Sequence, residues 1–162
     1  MSSGRVAKGA FLFRQGAPSR RVFFVVAGLV RNVRAEGRRQ VTLGFDCEDR
    51  FVGAYDSVLT GCPATFGAQA LEPCELLWFD GKTLESRYRR HPAWERVGRL
   101  VAEAQVLKRI DKEIRIRALS PTERYRRLVA TDSWILDRVP QYHVASYLGI
   151  TPETLSRIRR RL

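Results

Sequence analysis

Near residue 81 the hydrophobic period of this chain changes, and that change limits the possible folds more than any other feature. Before it, apolar residues alternate as they do in strands. The segments Phe11–Gly16, Val22–Gly28, Leu29–Val33, Val41–Phe45 and Glu75–Phe79 are short, rich in β-branched and aromatic residues, and bounded by glycine, proline or charge clusters. Glu36-Gly37 reads as a hairpin tip, and Asp56–Thr60 as one short helix. Short strands at about ten-residue spacing form an antiparallel sandwich or barrel. After residue 81 the period becomes helical. Trp94, Val97, Val101, Ala104, Leu107, Ile110, Ile114 and Ala118 step by three or four, interrupted only by Pro92. The expected class is α+β, with an antiparallel β domain over 1–81, a long helix over 82–119 and a helical domain over 120–162.

A helix of about 25 residues with one narrow apolar stripe is too long to be covered by a small domain. Packing on its own β domain is one way to bury the stripe, but that leaves Leu107, Ile110 and Ile114 exposed. A second copy buries it in full, as in a parallel coiled coil. A homodimer is therefore expected, with Val97, Val101, Ala104, Leu107, Ile110 and Ile114 at its interface. Ser120-Pro121-Thr122-Glu123 restarts a helix with a cap, a proline in the first turn and an acid, which makes Leu119–Ser120 a hinge.

The last two dozen residues, 139–162, have helix-turn-helix spacing. Val144 and Leu148 lie four apart on one face, and Ala145 beside them is small enough to admit a second helix at close range. Gly149 stands where the first helix must stop, since glycine enters the left-handed conformation without steric cost. Thr151 caps a second helix, Pro152 fits its first turn, and Glu153 complements the positive end of its dipole. Leu155 and Ile158 point inward. Thr151, Glu153, Thr154, Ser156, Arg157, Arg160 and Arg161 are left to meet base edges and phosphates, so double-stranded DNA is the expected partner. Two ordinary packed helices with a solvated basic end are the plainer alternative.

Charge favours DNA. The chain carries 29 Lys+Arg and 17 Asp+Glu, a formal net charge of +12. Residues 1–81 hold 10 basic and 8 acidic side chains (+2), and residues 82–162 hold 19 and 9 (+10). Solubility alone does not predict such polarisation, whereas a phosphate-binding surface does. No run approaches the roughly 18–20 apolar residues of a membrane span, and no signal peptide pattern opens the chain, so a cytoplasmic protein without membrane contact is expected. Cys47, Cys62 and Cys74 show no metal-ligand spacing, and no metal site is expected. With two histidines and scattered carboxylates there is no convergent acid, base or nucleophile set, so no catalytic residue is identified and an enzyme is not expected.

The order of β-roll, long helix, hinge and helix-turn-helix resembles the Crp/Fnr family of bacterial transcription regulators over nearly the whole chain. Gly9, Gln15-Gly16 and Phe23–Gly28 fall at the family's β-roll turns. Phe51-Val52-Gly53 resembles the opening of its phosphate-binding cassette. Ala145, Gly149, Glu153-Thr154 and Arg157 match its helix-turn-helix. The wording from Pro140 to Arg157 is similar to a compact branch in which the hairpin before the two helices is shortened, and Trp134–Arg138 leaves no room for it. The chain also begins close to its first strand, without the family's leading helix.

The resemblance implies a cyclic nucleotide-binding-like β-roll (a double-stranded β-helix, jelly-roll-like) over 1–81. It further implies a dimerisation helix over 82–119 and a DNA-binding domain over 120–162, acting on a near-palindromic operator. RNA polymerase is a further partner if the protein activates. The effector pocket then comprises Gly53, Ala54, Tyr55, Ala64 and Thr65. In members that bind cyclic AMP, a Glu holds the ribose and an Arg the cyclic phosphate; Ala54 and Ala64 stand at those positions here, so cyclic AMP is not expected and no cofactor is assigned. Pro152 stands where many members carry an Arg on the recognition helix. The alternative is therefore a small-molecule-sensing β-roll module with weak or no specific DNA binding.

Overall fold

A computed structural model describes residues 1–162, which form two compact units, Met1–Arg87 and Tyr88–Leu162. The first is built from two four-stranded antiparallel sheets. One sheet holds β1 (Ser2–Val6), β8 (Cys74–Asp80), β3 (Arg21–Ala27) and β6 (Phe51–Val52), in that order. The other holds β2 (Phe11–Phe13), β7 (Gly67–Ala70), β4 (Val30–Glu36) and β5 (Arg39–Asp46). Both sheets contribute to one core: Phe23, Val25, Val52, Cys74 and Leu76 from the first, Phe13, Val30, Ala68 and Ala70 from the second. Ala54 and Ala64, which flank the short helix α1 (Tyr55–Thr60), complete it. The β4–β5 hairpin turns at Gly37, whose φ of 60° is left-handed.

This is the α+β class read from the sequence, with three more strands than the alternation revealed. β1, β6 and β7 were not legible, and β2 ends at Phe13 rather than running to Gly16. β7 shows why. Its sequence Gly-Ala-Gln-Ala has no β-forming residue, and it is a strand because β2 and β4 pair with it on either side. A Cβ at Gly67 would approach the Phe13 carbonyl oxygen to 3.2 Å, so the small residues permit the close pairing.

The helical segment is also divided. In place of one long helix, α2 (Gly81–Arg90) ends at His91, which is extended at φ −140° and ψ 107°, and α3 begins at Pro92 and runs to Ala118. A residue before proline is pushed out of the helical region by the proline ring, so the break falls one residue before the interruption. In the second unit the Tyr88 ring lies against α3 at Gly98, where a Cβ would come within 2.4 Å of the phenol oxygen. The unit continues with α4 (Pro121–Asp132), α5 (Trp134–Arg138), α6 (Gln141–Leu148) and α7 (Pro152–Arg161). α4 opens with the expected capping box: the Glu123 backbone N–H donates to the Ser120 hydroxyl, and the Ser120 backbone N–H to the Glu123 carboxylate. α5 occupies the short connection that the sequence left too small for a hairpin. No helix is long and apolar enough to cross a membrane.

Gly28 tests the packing of the first unit. Its φ is +103°, and a Cβ there would lie 2.6 Å from the Pro73 carbonyl oxygen and 2.8 Å from the Cys74 sulfur. The Pro73 carbonyl and the Cys74 Cα, 2.9 Å away, are backbone at the start of β8 and cannot yield as a flexible side chain would. Gly28→Ala should destabilise the protein by about 2 kcal/mol or more, measured by urea unfolding at constant m-value.

Candidate nucleic-acid interface

α6 and α7 form the helix-turn-helix that the spacing predicts. Val144, Ala145 and Leu148 of α6 and Leu155 and Ile158 of α7 are buried together with Leu128 of α4 and Ile135 of α5. α6 stops at Gly149, φ 70°, and the turn closes when the Ile150 N–H donates to the Ala145 carbonyl at 3.0 Å. A Schellman-type ending of this kind needs a left-handed residue. Arg124 of α4 seals the same end: its guanidinium donates to the Leu148 carbonyl at 2.6 Å, and a Cβ at Gly149 would lie 3.2 Å from it. A cation at a helix C-terminus also opposes the negative end of the dipole. α7 then starts at Thr151, whose hydroxyl accepts from the Thr154 N–H at 3.2 Å.

Burying Leu155 and Ile158 fixes which face of α7 is free. Thr151, Glu153, Ser156, Arg157, Arg160 and Arg161 are exposed and Thr154 is half-buried. The expected set therefore shares one helix and its cap, with Arg159 also exposed. The Glu153 N–H and the Thr151 hydroxyl hold the Glu153 carboxyl below its usual range, so it stays ionised beside the arginines.

The structure adds a residue that the sequence did not single out. A groove of about 420 Å³ is lined by Pro121, Thr122 and Arg126 of α4 and by Thr154, Arg157 and Arg161 of α7. Three arginines from two helices thus converge beside the start of α4, as a run of phosphates requires. Within the second unit basic residues number 17 against 8 acidic ones, a net +9.

A polar clamp ties the end of α3 to this motif. The Asp111 carboxylate receives Arg115 at 2.8 Å and Arg127 of α4 at 2.7 Å. On the next residue, the Lys112 ammonium sits over the Tyr147 ring of α6, 4.8 Å from its centroid. The rest of α3 is open: it has no buried residue, and Val97, Leu107, Ile110 and Ile114 are all close to half-exposed or more, with Val101 half-buried and Ala104 exposed.

The residues expected to form the effector pocket flank or begin α1 in the sequence. Ala54 and Ala64 are 0% and 2% exposed, their methyl groups inside the roll core. Gly53 packs against the Arg21–Val22 backbone, and Tyr55 is exposed. Thr65 is exposed, but its donors are taken: its hydroxyl and backbone N–H donate to the Asp56 carboxylate at 2.7 and 3.3 Å. Burial pushes the Asp56 carboxyl up, and the hydrogen bonds from Thr65 and neighbouring amides outweigh that and hold it below its usual value.

The family profile described as "Cyclic nucleotide-binding domain" matches residues 4–91. No curated protein sequence matches the chain. Among solved structures, FixK2 from Bradyrhizobium japonicum superimposes with a TM-score of 0.83 at 18% identity, over 99% of this chain and 83% of that one. The c-di-GMP-responsive global regulator CLP of Xanthomonas campestris gives 0.78 at 21% identity, covering 99% and 85%. A CRP-family transcriptional regulator from Thermus thermophilus gives 0.76 at 18%, covering 98% and 83%. At these identities the likeness is one of fold, and it runs through both units.

The clamp carries a pH signature. Burial, then the charges of Arg115, Lys108 and Arg109, lower the Lys112 ammonium from 10.5 to about 8, more than the Tyr147 ring face offsets. Below about pH 8 the folded and unfolded states both hold the proton, and the folded state carries the cost of the buried charge. Between about 8 and 10.5 only the unfolded state holds it, so this lysine's contribution to stability rises with pH. Tyr147, raised chiefly by burial, opposes this only above its usual 10. Lys112→Met should therefore be more stable than the wild type at pH 7, by about 1–3 kcal/mol, and the gap should narrow by pH 10. Urea unfolding at several pH values measures both; a pH-independent gap would assign the effect to packing.

Proposed function

The chain belongs to the cyclic nucleotide-binding domain family, and from that premise we propose that it is a homodimeric, DNA-binding transcription regulator of the Crp/Fnr type, with the β-roll as its effector domain. The carrying observation is the free face of α7, where Glu153, Ser156, Arg157, Arg160 and Arg161 project from a helix whose opposite side is locked by Leu155 and Ile158. α7 enters the major groove. Arg157 makes a bidentate contact to guanine, and Glu153, four residues earlier on the same face, accepts from a cytosine amino group. Thr151, Thr154, Arg160 and Arg161, with Arg126 of α4, hold phosphates and set the register. Such a protein works in the cytoplasm, where the DNA is, and an activator of this type would touch RNA polymerase.

Dimerisation through α3 is supported by its exposure, since an amphipathic helix of 27 residues with no buried side chain lacks a partner for its apolar side. Val97, Val101, Ala104, Leu107, Ile110 and Ile114 would form the seam between two copies. Cyclic AMP is not the effector in this reading, since Ala54 and Ala64 offer no acceptor for a ribose and no countercharge for a phosphate.

Arg157→Ala should cost about 1–3 kcal/mol on the specific operator and much less on random DNA, read from binding isotherms at matched salt. Equal losses on both would reduce Arg157 to a phosphate contact, and the absence of any steep salt dependence in the wild type would favour a sensing module without DNA affinity.

The double variant Leu107→Glu, Ile114→Glu would place like charges at the twofold seam. Sedimentation should then show monomers, with operator affinity near the nonspecific level, because the two recognition helices are no longer held about 34 Å apart. An unchanged dimer would put the interface elsewhere.

A further inference from the structure

We infer that Lys112 is an acylation site, whose amine takes the acyl group of a small acyl phosphate seated in the groove beside it. The groove, of about 270 Å³, is lined by Arg109, Lys112, Glu113, Ile116 and Arg117 of α3. These residues step by three or four, so they share one face of the helix. Arg109 and Ile116 each stand two residues beyond Leu107 and Ile114, about 200° further round the helix. The groove therefore lies away from the apolar stripe, and a second copy seated on that stripe leaves it open. Lys112 is half-buried where this face meets α6, with its ammonium over the Tyr147 ring.

A lysine becomes a nucleophile near neutral pH when burial or neighbouring cations disfavour its charged form. Both act here: burial, then Arg115, Lys108 and Arg109, bring the ammonium down to about 8. Tyr147 faces it from α6, and that phenol is itself acted on by Arg115 and by Asp132 of α4. At pH 7 an amine near 8 is free in about one molecule in ten, against about one in three thousand for an ordinary lysine. The rest of the groove suits the donor. Arg109 and Arg117, both exposed, present guanidinium forks to a phosphate, and Ile116 gives an apolar seat to the acyl chain. Glu113, paired with Arg117 at 3.1 Å, leaves the lining net positive even when the amine is neutral. In the reaction the amine nitrogen attacks the acyl carbon and the bond from that carbon to the phosphate oxygen breaks. Phosphate leaves with the electron pair, and the amine proton passes to water. The amide that results carries no charge, so it gives up both the contact with Tyr147 and the larger penalty of a buried ammonium. Acylation therefore tightens the joint between α3 and α6.

The full chain would be incubated with acetyl phosphate near pH 7 and each lysine read by peptide mass spectrometry. A less basic amine is also a weaker nucleophile, so the advantage in free amine shrinks, and Lys112 should react about tenfold or more faster than Lys8, Lys82 and Lys108. Its rate should level off above about pH 8 while theirs continue to rise. Arg109→Gln should slow acetylation of Lys112 by acetyl phosphate several-fold more than acetylation by p-nitrophenyl acetate, which has no phosphate to hold. The acetylated chain should unfold at a higher urea concentration, and the same treatment should leave the midpoint of Lys112→Arg unchanged. Equal rates at Lys112 and at the other lysines would overturn the inference. So would an equal effect of Arg109→Gln on both donors, or an acetylated Lys112 that leaves the midpoint where it was or lowers it. None of these readouts involves DNA, so each outcome is independent of the regulator proposed above.

Discussion

The turn at Gly149 determines what the second unit can present. Three conditions meet there: a left-handed backbone, an Ala145 side chain small enough to be fully buried under the next helix, and an Arg124 guanidinium lying where any larger residue's Cβ would crowd it. Arg124 is bound to the Leu148 carbonyl, so the turn ties α4 to α6 as well as α6 to α7. A side chain at Gly149 would strain the backbone and push against this cation at once. The loss would spread, because the groove that gathers Arg126, Arg157 and Arg161 is lined by α4 and α7, and α6 lies between them in sequence and in contact with both. The positions of the surface arginines therefore depend on a buried turn without charge of its own.

How much of this was legible follows from where the information resides. The strands β3, β5 and β8 could be read because Val, Phe and Trp crowd them, and the face of α7 could be read because Leu155 and Ile158 fix it at helical spacing. β7 could not: its alanines have no preference for a strand and are held in one by their neighbours. The division of the long helix was signalled by Pro92, but the break itself falls at His91, where the proline's steric demand acts. Arg126 was visible as a basic residue of a predicted helix, yet which side of α4 meets α7 is decided by packing. Asn32 and Asp46 are 14 positions apart, and only the register of β4 on β5, shifted by a bulge after Asn32, brings them together. Sequence periodicity gives faces within an element; pairings between elements come from the fold.

The two ends of α3 differ in how they are held, and the difference bears on control. Its length offers Val97, Leu100, Leu107, Ile110 and Ile114 to an apolar partner; each is about half-exposed, so completing its burial adds about 1 kcal/mol. Its last turns are joined to α4 by the partly exposed Asp111–Arg127 ion pair and to α6 by the Lys112–Tyr147 contact, interactions of about 1 kcal/mol or less apiece in water. A dimer seam on the apolar stripe would thus be far harder to disrupt than the clamp. In a regulator of the kind proposed, a change in the position of α3 would leave the subunits together while loosening or seating the helix-turn-helix, at a cost within the roughly 1–3 kcal/mol typical of coupling between sites. The free energy available to one small ligand is then enough, because only the weaker of the two attachments has to change.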